Sequence, residues 1–160
     1  MVIRMDIGNF VVHKVLVDNG SSMDILSMDV LRRMEIGVAS LRPVNTPLIG
    51  FGGSEVIPLG TINLPVSMGT KPKRKTMMVK FLVVDTPFAY NVILGRPSLN
   101  LFRAVVSTFH LKMKFPTSHG IGEVRCDQNE ASRCYNLSIK KGTEGKDESQ
   151  RKPSSVLQGL

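Results

Sequence analysis

Three aliphatic residues, Val15, Leu16 and Val17, run without a polar break into Asp18-Asn19-Gly20-Ser21-Ser22. The triplet reads as a short buried strand, and Asn-Gly is a strong turn dipeptide because both residues tolerate positive φ. A carboxylate therefore stands where a core strand ends. There it is either satisfied by the amides of the turn or held ready as an acid or a base. Asp before Asn-Gly is also ordinary turn chemistry, so the motif alone leaves both readings open.

A second apolar strand ending in glycine follows far downstream, at Tyr90-Asn91-Val92-Ile93-Leu94-Gly95-Arg96. Together the two segments resemble the retropepsin-like aspartic proteases, whose members carry an Asp-Thr/Ser-Gly turn, a glycine-bearing flap and a late apolar-apolar-Gly strand. In this chain Asp18-Asn19-Gly20 stands for the turn, with Ser21 beside it. Ile49-Gly50-Phe51-Gly52-Gly53 lies in flap position, and Ile93-Leu94-Gly95, followed by Arg96, stands for the late strand. The similarity spans about Val2 to Phe115 and is greatest to the protease region of plant Ty3/gypsy retrotransposon polyproteins.

The resemblance implies a mainly β fold, a single closed barrel or sandwich domain with one or two short helices. It also implies an activity: hydrolysis of peptide bonds by two carboxylates sharing a proton, one activating water while the other donates to the scissile carbonyl. Only Asp18 has the local pattern for that role. Asp24, Asp29 and Asp85 read as solvated or capping groups, so a homodimer with one Asp18 from each copy is implied. Extended polypeptide would bind beneath the flap as an added strand, with Val17, Ile49, Phe51, Val92 and Ile93 as pocket lining or core. Asn19 departs from the family, replacing the Thr or Ser whose hydroxyl bonds across the dimer axis. A weakly active or inactive peptide-binding dimer is therefore the alternative function. Arg96 is expected in an ion pair that organises the dimer, or else as a surface arginine. Ser22 stands where retroviral turns have its acidic partner, and Asp24 is the candidate substitute.

The net charge of +8 invites a nucleic-acid reading, but the cations cluster in two places, Lys71 to Lys75 and Lys140 to Lys152. Neither interleaves aromatics for base stacking, which argues against nucleic acid as a partner. No Lys-Ser/Thr follows the Gly-Phe-Gly-Gly run, which excludes a phosphate-cradling loop. Cys126 and Cys134 lack the flanking ligands of a zinc site and read as free thiols; no metal and no cofactor is expected. No stretch reaches the roughly 20 apolar residues of a membrane span, and the N-terminus lacks a basic-then-apolar leader. The expectation is a cytoplasmic protein that does not enter a membrane.

Along the chain, Val2 to Met5 and Phe10 to Val17 read as a hairpin through Asp6-Ile7-Gly8-Asn9. Ser27 caps a short helix to about Met34, ended by Gly37. Ile57 to Val66 reads as a strand bent at Gly60, joined by a basic loop at Lys71 to Lys75 to a return strand, Met77 to Val84. Asp85-Thr86-Pro87 breaks that strand. Pro97 opens a helix over about Ser98 to Phe102, and Val105–Ser107 with Leu111–Phe115 forms a last hairpin. Beyond Pro116 the composition turns polar. The expected organisation is a domain over 1–116 and a flexible tail or linker over 117–160.

Overall fold

The computed structural model describes residues 1–45, 48–49, 55–85 and 88–127. Gly50, Phe51, Gly52, Gly53, Thr86, Pro87, Cys134 and the segment 128–160 lie outside the described residues, and with them most of the expected flap and tail.

Six strands close a barrel in the order β1 (Val2–Ile7), β2 (Phe10–Val17), β8 (Val92–Leu94), β3 (Ile25–Ser27), β7 (Lys73–Val84) and β6 (Gly60–Thr70). Strands β1 (Val2–Ile7) and β2 (Phe10–Val17) form the first hairpin, turning at Gly8-Asn9, so Asp6 and Ile7 belong to the strand rather than the turn. Between the pairs Ile3↔Val15 and Met5↔Val12, one residue of β1 faces two of β2, His13 and Lys14. Lys14, at this bulge, has the positive φ of +56°. Asn91 fastens this bulge: its backbone amide donates to the Lys14 carbonyl, and its Nδ2 to the His13 carbonyl. The strand that follows Asn91, β8 (Val92–Leu94), is thereby set beside β2.

Strand β3 (Ile25–Ser27) leads into α1 (Met28–Arg33). Ser27 caps this helix, its Oγ accepting from the Asp29 amide, and Val30, Leu31 and Met28 face the core. Val38–Ser40 forms a 3-10 turn that begins after Gly37, the helix itself having ended at Met34. The backbones of β4 (Leu48–Ile49) and β5 (Glu55–Val56) pair as a small hairpin carrying Ile49.

Two long strands dominate the far side, β6 (Gly60–Thr70) and β7 (Lys73–Val84). The connection between them is only Lys71-Pro72, so Lys73, Arg74 and Lys75 lie in β7 and not in a loop. Pairing with β6 out to Thr70↔Lys73 supplies backbone partners to residues that the charge run makes look like a loop. Strand β6 starts at Gly60, with residues 57–59 irregular before it. Arg74 ties the hairpin to the barrel by a 2.6 Å ion pair with Asp6, partly buried on both sides.

Helix α2 (Arg96–Phe102) has Pro97 in its first turn, as its missing amide allows. It is followed by a three-stranded sheet in the order β11-β10-β9, comprising β9 (Val105–Ser107), β10 (Lys112–Thr117) and β11 (Gly120–Arg125). Strand β11 lies within the segment expected as a flexible tail. It pairs with β10 from Lys112↔Arg125 to Thr117↔Gly120, and the Asp127 amide goes on to donate to the Val2 carbonyl. The last hairpin is thus a sheet with β10 in its middle. Phe102 and Phe115 meet edge to face, centroids 6.3 Å apart, and join α2 to this sheet. Such a pair contributes about 1 kcal/mol beyond its buried area. Ile3, Ile7, Val12, Val15, Leu26, Leu31, Phe81, Val83, Leu94, Phe102, Met113 and Phe115 belong to one continuous core.

Candidate active site

Strands β2 and β8 run parallel, pairing Val15↔Val92, Leu16↔Ile93 and Val17↔Leu94, and they end together. That register sets Asp18 beside Gly95, residues far apart in sequence. The Asp18 amide donates to the Leu94 carbonyl at 2.9 Å, continuing the parallel ladder by one bond. Past that point the chain turns: the Gly20 amide donates to Asp18 Oδ1 at 2.9 Å, and the Ser21 amide to the Asp18 carbonyl at 3.2 Å. A Cβ on Gly20 would come within 3.1 Å of Asp18 Oδ1. Glycine thus leaves room for the amide to reach the carboxylate. One oxygen of Asp18 is held by the turn, and Oδ2 has no hydrogen bond among the described residues. Asp18 is half-buried, while Asn19 and Gly20 are exposed at the tip.

The turn is clamped from behind. Ser21 Oγ donates to the Met23 carbonyl at 2.7 Å, and the Arg96 amide donates to the Ser21 carbonyl at 2.9 Å. A Cβ on Gly95 would overlap the Met23 carbonyl oxygen and come within 2.8 Å of that of Ser21, so the two backbones cross here in contact. Glycine is required for that reason. Val17, Val92 and Leu94 belong to the core behind Asp18, and Ile93 is buried as well, so none of the four lines an open pocket.

Asp24 departs from the sequence expectation of a solvated or capping group. It is 4% exposed, and its Oδ1 accepts a 2.7 Å hydrogen bond from the Gly95 amide. Burial raises its pKa above the ordinary 3.8, opposed by the Ser98 hydroxyl and the amides of Gly95 and Ser98. The Ser98 Oγ is itself fully buried and lies near this carboxyl without completing a hydrogen bond of good geometry. Asp24 therefore does not pair with Arg96, which is exposed and makes no ion pair among the described residues. Nothing local marks Asp24 as buried; the only hint is a polar residue heading the apolar pair Ile25-Leu26. Asp29 and Asp85 behave as expected of surface groups, both pairing with Arg32.

Of the predicted site residues, the fold brings together Asp18, Asn19, Gly20, Ser21, Ile93, Leu94, Gly95 and Arg96. Ile49 is placed by backbone alone. Among the described residues no helix is long and apolar enough to cross a membrane. Cys126 is a free thiol.

No protein-family model and no curated protein sequence matches the chain. Solved structures do. The retroviral protease-like domain of Ddi1 from Leishmania major superposes with a TM-score of 0.58 at 15% identity, over 81% of this chain and 95% of that one. A retropepsin-like aspartic protease from Rickettsia conorii gives 0.51 at 17% identity, over 78% and 81%. With its six-stranded closed barrel and paired Asp-bearing and Gly-bearing strand ends, the chain has the retropepsin-like aspartic protease fold.

Proposed function

We propose that the protein is a homodimeric aspartic endopeptidase in which Asp18 of each copy forms a shared dyad and activates water against an extended polypeptide. The observation that carries this reading is the placement of Asp18. Its backbone is fixed by Leu94, one carboxylate oxygen is held by Gly20, and the other has no hydrogen-bond partner among the described residues. A single carboxylate cannot both take a proton from water and give one to the carbonyl. Asp24, its near neighbour in sequence, is buried and engaged with Gly95, which supports a second copy as the source of the second carboxylate. The two carboxylates must hold one proton between them, one acting as base and the other as acid, so activity is expected in mild acid. The resemblance to plant Ty3/gypsy elements makes a retroelement polyprotein the proposed substrate.

The family likeness offers Val2–Met5 and Leu111–Phe115 as strands for dimerisation, and both are at least partly paired within the chain. Leu111–Phe115 ends in the middle strand of its sheet, and β1 is paired with β2 along its length and with β6 at Asp6 and Ile7. Among the described residues strand β9 pairs only with β10, and Val105 on it is 71% exposed. It is the edge a second copy would extend.

The test is cleavage of an unfolded protein at mildly acid pH by wild type and by Asp18→Asn. Loss of at least about a hundredfold is expected, the usual scale for removing a general acid or base. Cleavage that survives the substitution would refute the assignment. Asn19 supports a second reading, a peptide-binding dimer without turnover, because an amide replaces the hydroxyl that bonds across the family's axis. If that reading holds, Asn19→Thr produces cleavage in a protein that otherwise shows none. An already active wild type with no gain from Asn19→Thr excludes it.

A further inference from the structure

A second concave surface lies at the end of the β6–β7 hairpin, built from segments that the proposed chemistry does not use. Arg74–Met77 of β7 form one wall; Leu101 and Arg103 at the end of α2 and Pro116–Ser118 at the end of β10 form the other. The groove holds about 600 Å³. Its lining contains three cations, Arg74, Lys75 and Arg103, and no acidic residue. Arg74 is answered by Asp6, whereas Lys75 and Arg103 have no ion pair among the described residues.

Each cation has a structural explanation when taken alone. Lysine on an exposed edge discourages chance strand pairing, and a cation at a helix C-terminus suits the helix dipole. Neither explains the convergence. Arg103 occupies the left-handed C-cap of α2, φ +53°, a position where glycine or asparagine is the usual residue. Lys75 and Arg103 line the same groove, where an anionic occupant would answer both.

The rest of the lining narrows the class of occupant. Met77, Leu101 and Pro116 supply apolar surface, Thr76, Thr117 and Ser118 supply hydroxyls, and no aromatic residue is present for base stacking. Among the described residues, the backbone of Arg74–Met77 is paired on one side only, with β6, because β3 reaches β7 only at Leu82–Val84. A strand edge beside cations and aliphatics fits an extended peptide with alternating carboxylates and aliphatic side chains. We propose that this groove is a docking site for an acidic, aliphatic polypeptide segment, separate from the Asp18 site, with Lys75 and Arg103 as its carboxylate-binding residues.

The experiment is fluorescence anisotropy of the full chain against a labelled ten-residue peptide of alternating Glu and Val at low salt. Saturable binding is expected, weakened about tenfold or more in the doubly charge-reversed Lys75→Glu, Arg103→Glu protein, as for opposed like charges at an interface. Lys80→Glu, on β7 outside the groove, should bind as wild type does. Circular dichroism checks that each variant folds, and Arg103→Gln replaces the double variant if that one does not. No binding, or equal loss with Lys80→Glu, would overturn the site. Equal affinity for a Glu-Ser peptide would remove the apolar contribution and overturn the stated partner. Tighter binding to a ten-residue oligothymidylate would do the same in favour of nucleic acid. The readout needs no peptidase activity, so it stands apart from the fate of Asp18.

Discussion

The Gly95 amide donates to Oδ1 of Asp24 across 71 residues of sequence, at 2.7 Å and out of contact with water. This bond closes the back of the candidate site. Asp24 also accepts through its carbonyl from the Leu82 amide, so one residue joins β3, β7 and the entrance to α2.

The pH dependence of stability follows from that burial. Asp24 has a folded pKa raised above its ordinary 3.8, so the folded state holds the proton more tightly than the unfolded chain does. Its contribution to stability is present in full below 3.8 and is lost as pH rises toward the raised folded value. Asn keeps the acceptor without the charge. Asp24→Asn should therefore remove this fall, leaving the protein as stable as wild type or more so at neutral pH. Asp24→Ala leaves a buried amide unpaired and should cost about 1–3 kcal/mol. Urea midpoints for the three proteins from pH 3 to 8 check this. Parallel pH profiles for wild type and Asp24→Asn would refute it.

Gly95→Ala tests the crossing of the two strand ends. The added methyl would overlap the Met23 carbonyl, which is backbone and cannot swing away as a flexible side chain could. Overpacking of this kind costs typically about 1–3 kcal/mol. Because Leu94 and Arg96 hold the Asp18 turn from either side of Gly95, peptidase activity should fall by more than the loss of folded protein explains. Thermal unfolding together with activity per folded molecule measures both. A fully stable variant would show that the close approach is relieved easily.

What the sequence conveyed, it conveyed through local patterns. The Gly8-Asn9 hairpin, the Ser27 cap and Pro97 at the start of α2 are each written in a few adjacent residues. The pairing of Asp18 with Gly95 was legible only through the resemblance, since composition and periodicity do not say which strand ends meet. Strand β11 was missed because Gly-Ile-Gly-Glu-Val-Arg has weak intrinsic strand preference. Tertiary contact selects it: a Cβ at Gly122 would come within 2.7 Å of the Phe115 ring, so this glycine lets β11 lie flat against the core. Lys73 to Lys75 looked like loop for the converse reason, their charge concealing a strand held by its partner β6. Asp24 was misread because its burial depends on an amide 71 residues away.

Truncation tests whether the folded domain ends near Pro116 or includes β11. A chain ending at Thr117 lacks β11, leaving β10 without its longer partner and uncovering Met113 and Phe115, both fully buried in the whole chain. Exposing large core side chains costs several kcal/mol, comparable to the total stability of a small domain. That chain should be unfolded or aggregated, whereas one ending at Asp127 should unfold cooperatively. Circular dichroism melts of the two distinguish the cases, and a well-folded chain ending at Thr117 would restore the shorter domain.

The shared dyad makes a prediction that no single-chain site can imitate. If each active site needs Asp18 from two copies, a mixture of wild type and Asp18→Asn assembles three dimers, of which only the wild-type homodimer cleaves. At equal amounts and random pairing, activity at fixed total protein should be about one quarter of that of wild type alone, because the fraction of active dimers is the square of the wild-type fraction. A monomeric enzyme would give one half. Subunits must be allowed to exchange before the assay, and dilution below the dimer dissociation constant should abolish cleavage while leaving the fold intact. Activity measured across the mixing series decides it: a straight line through one half refutes the dyad, and a quadratic curve ties peptide cleavage to Asp18 meeting its own copy.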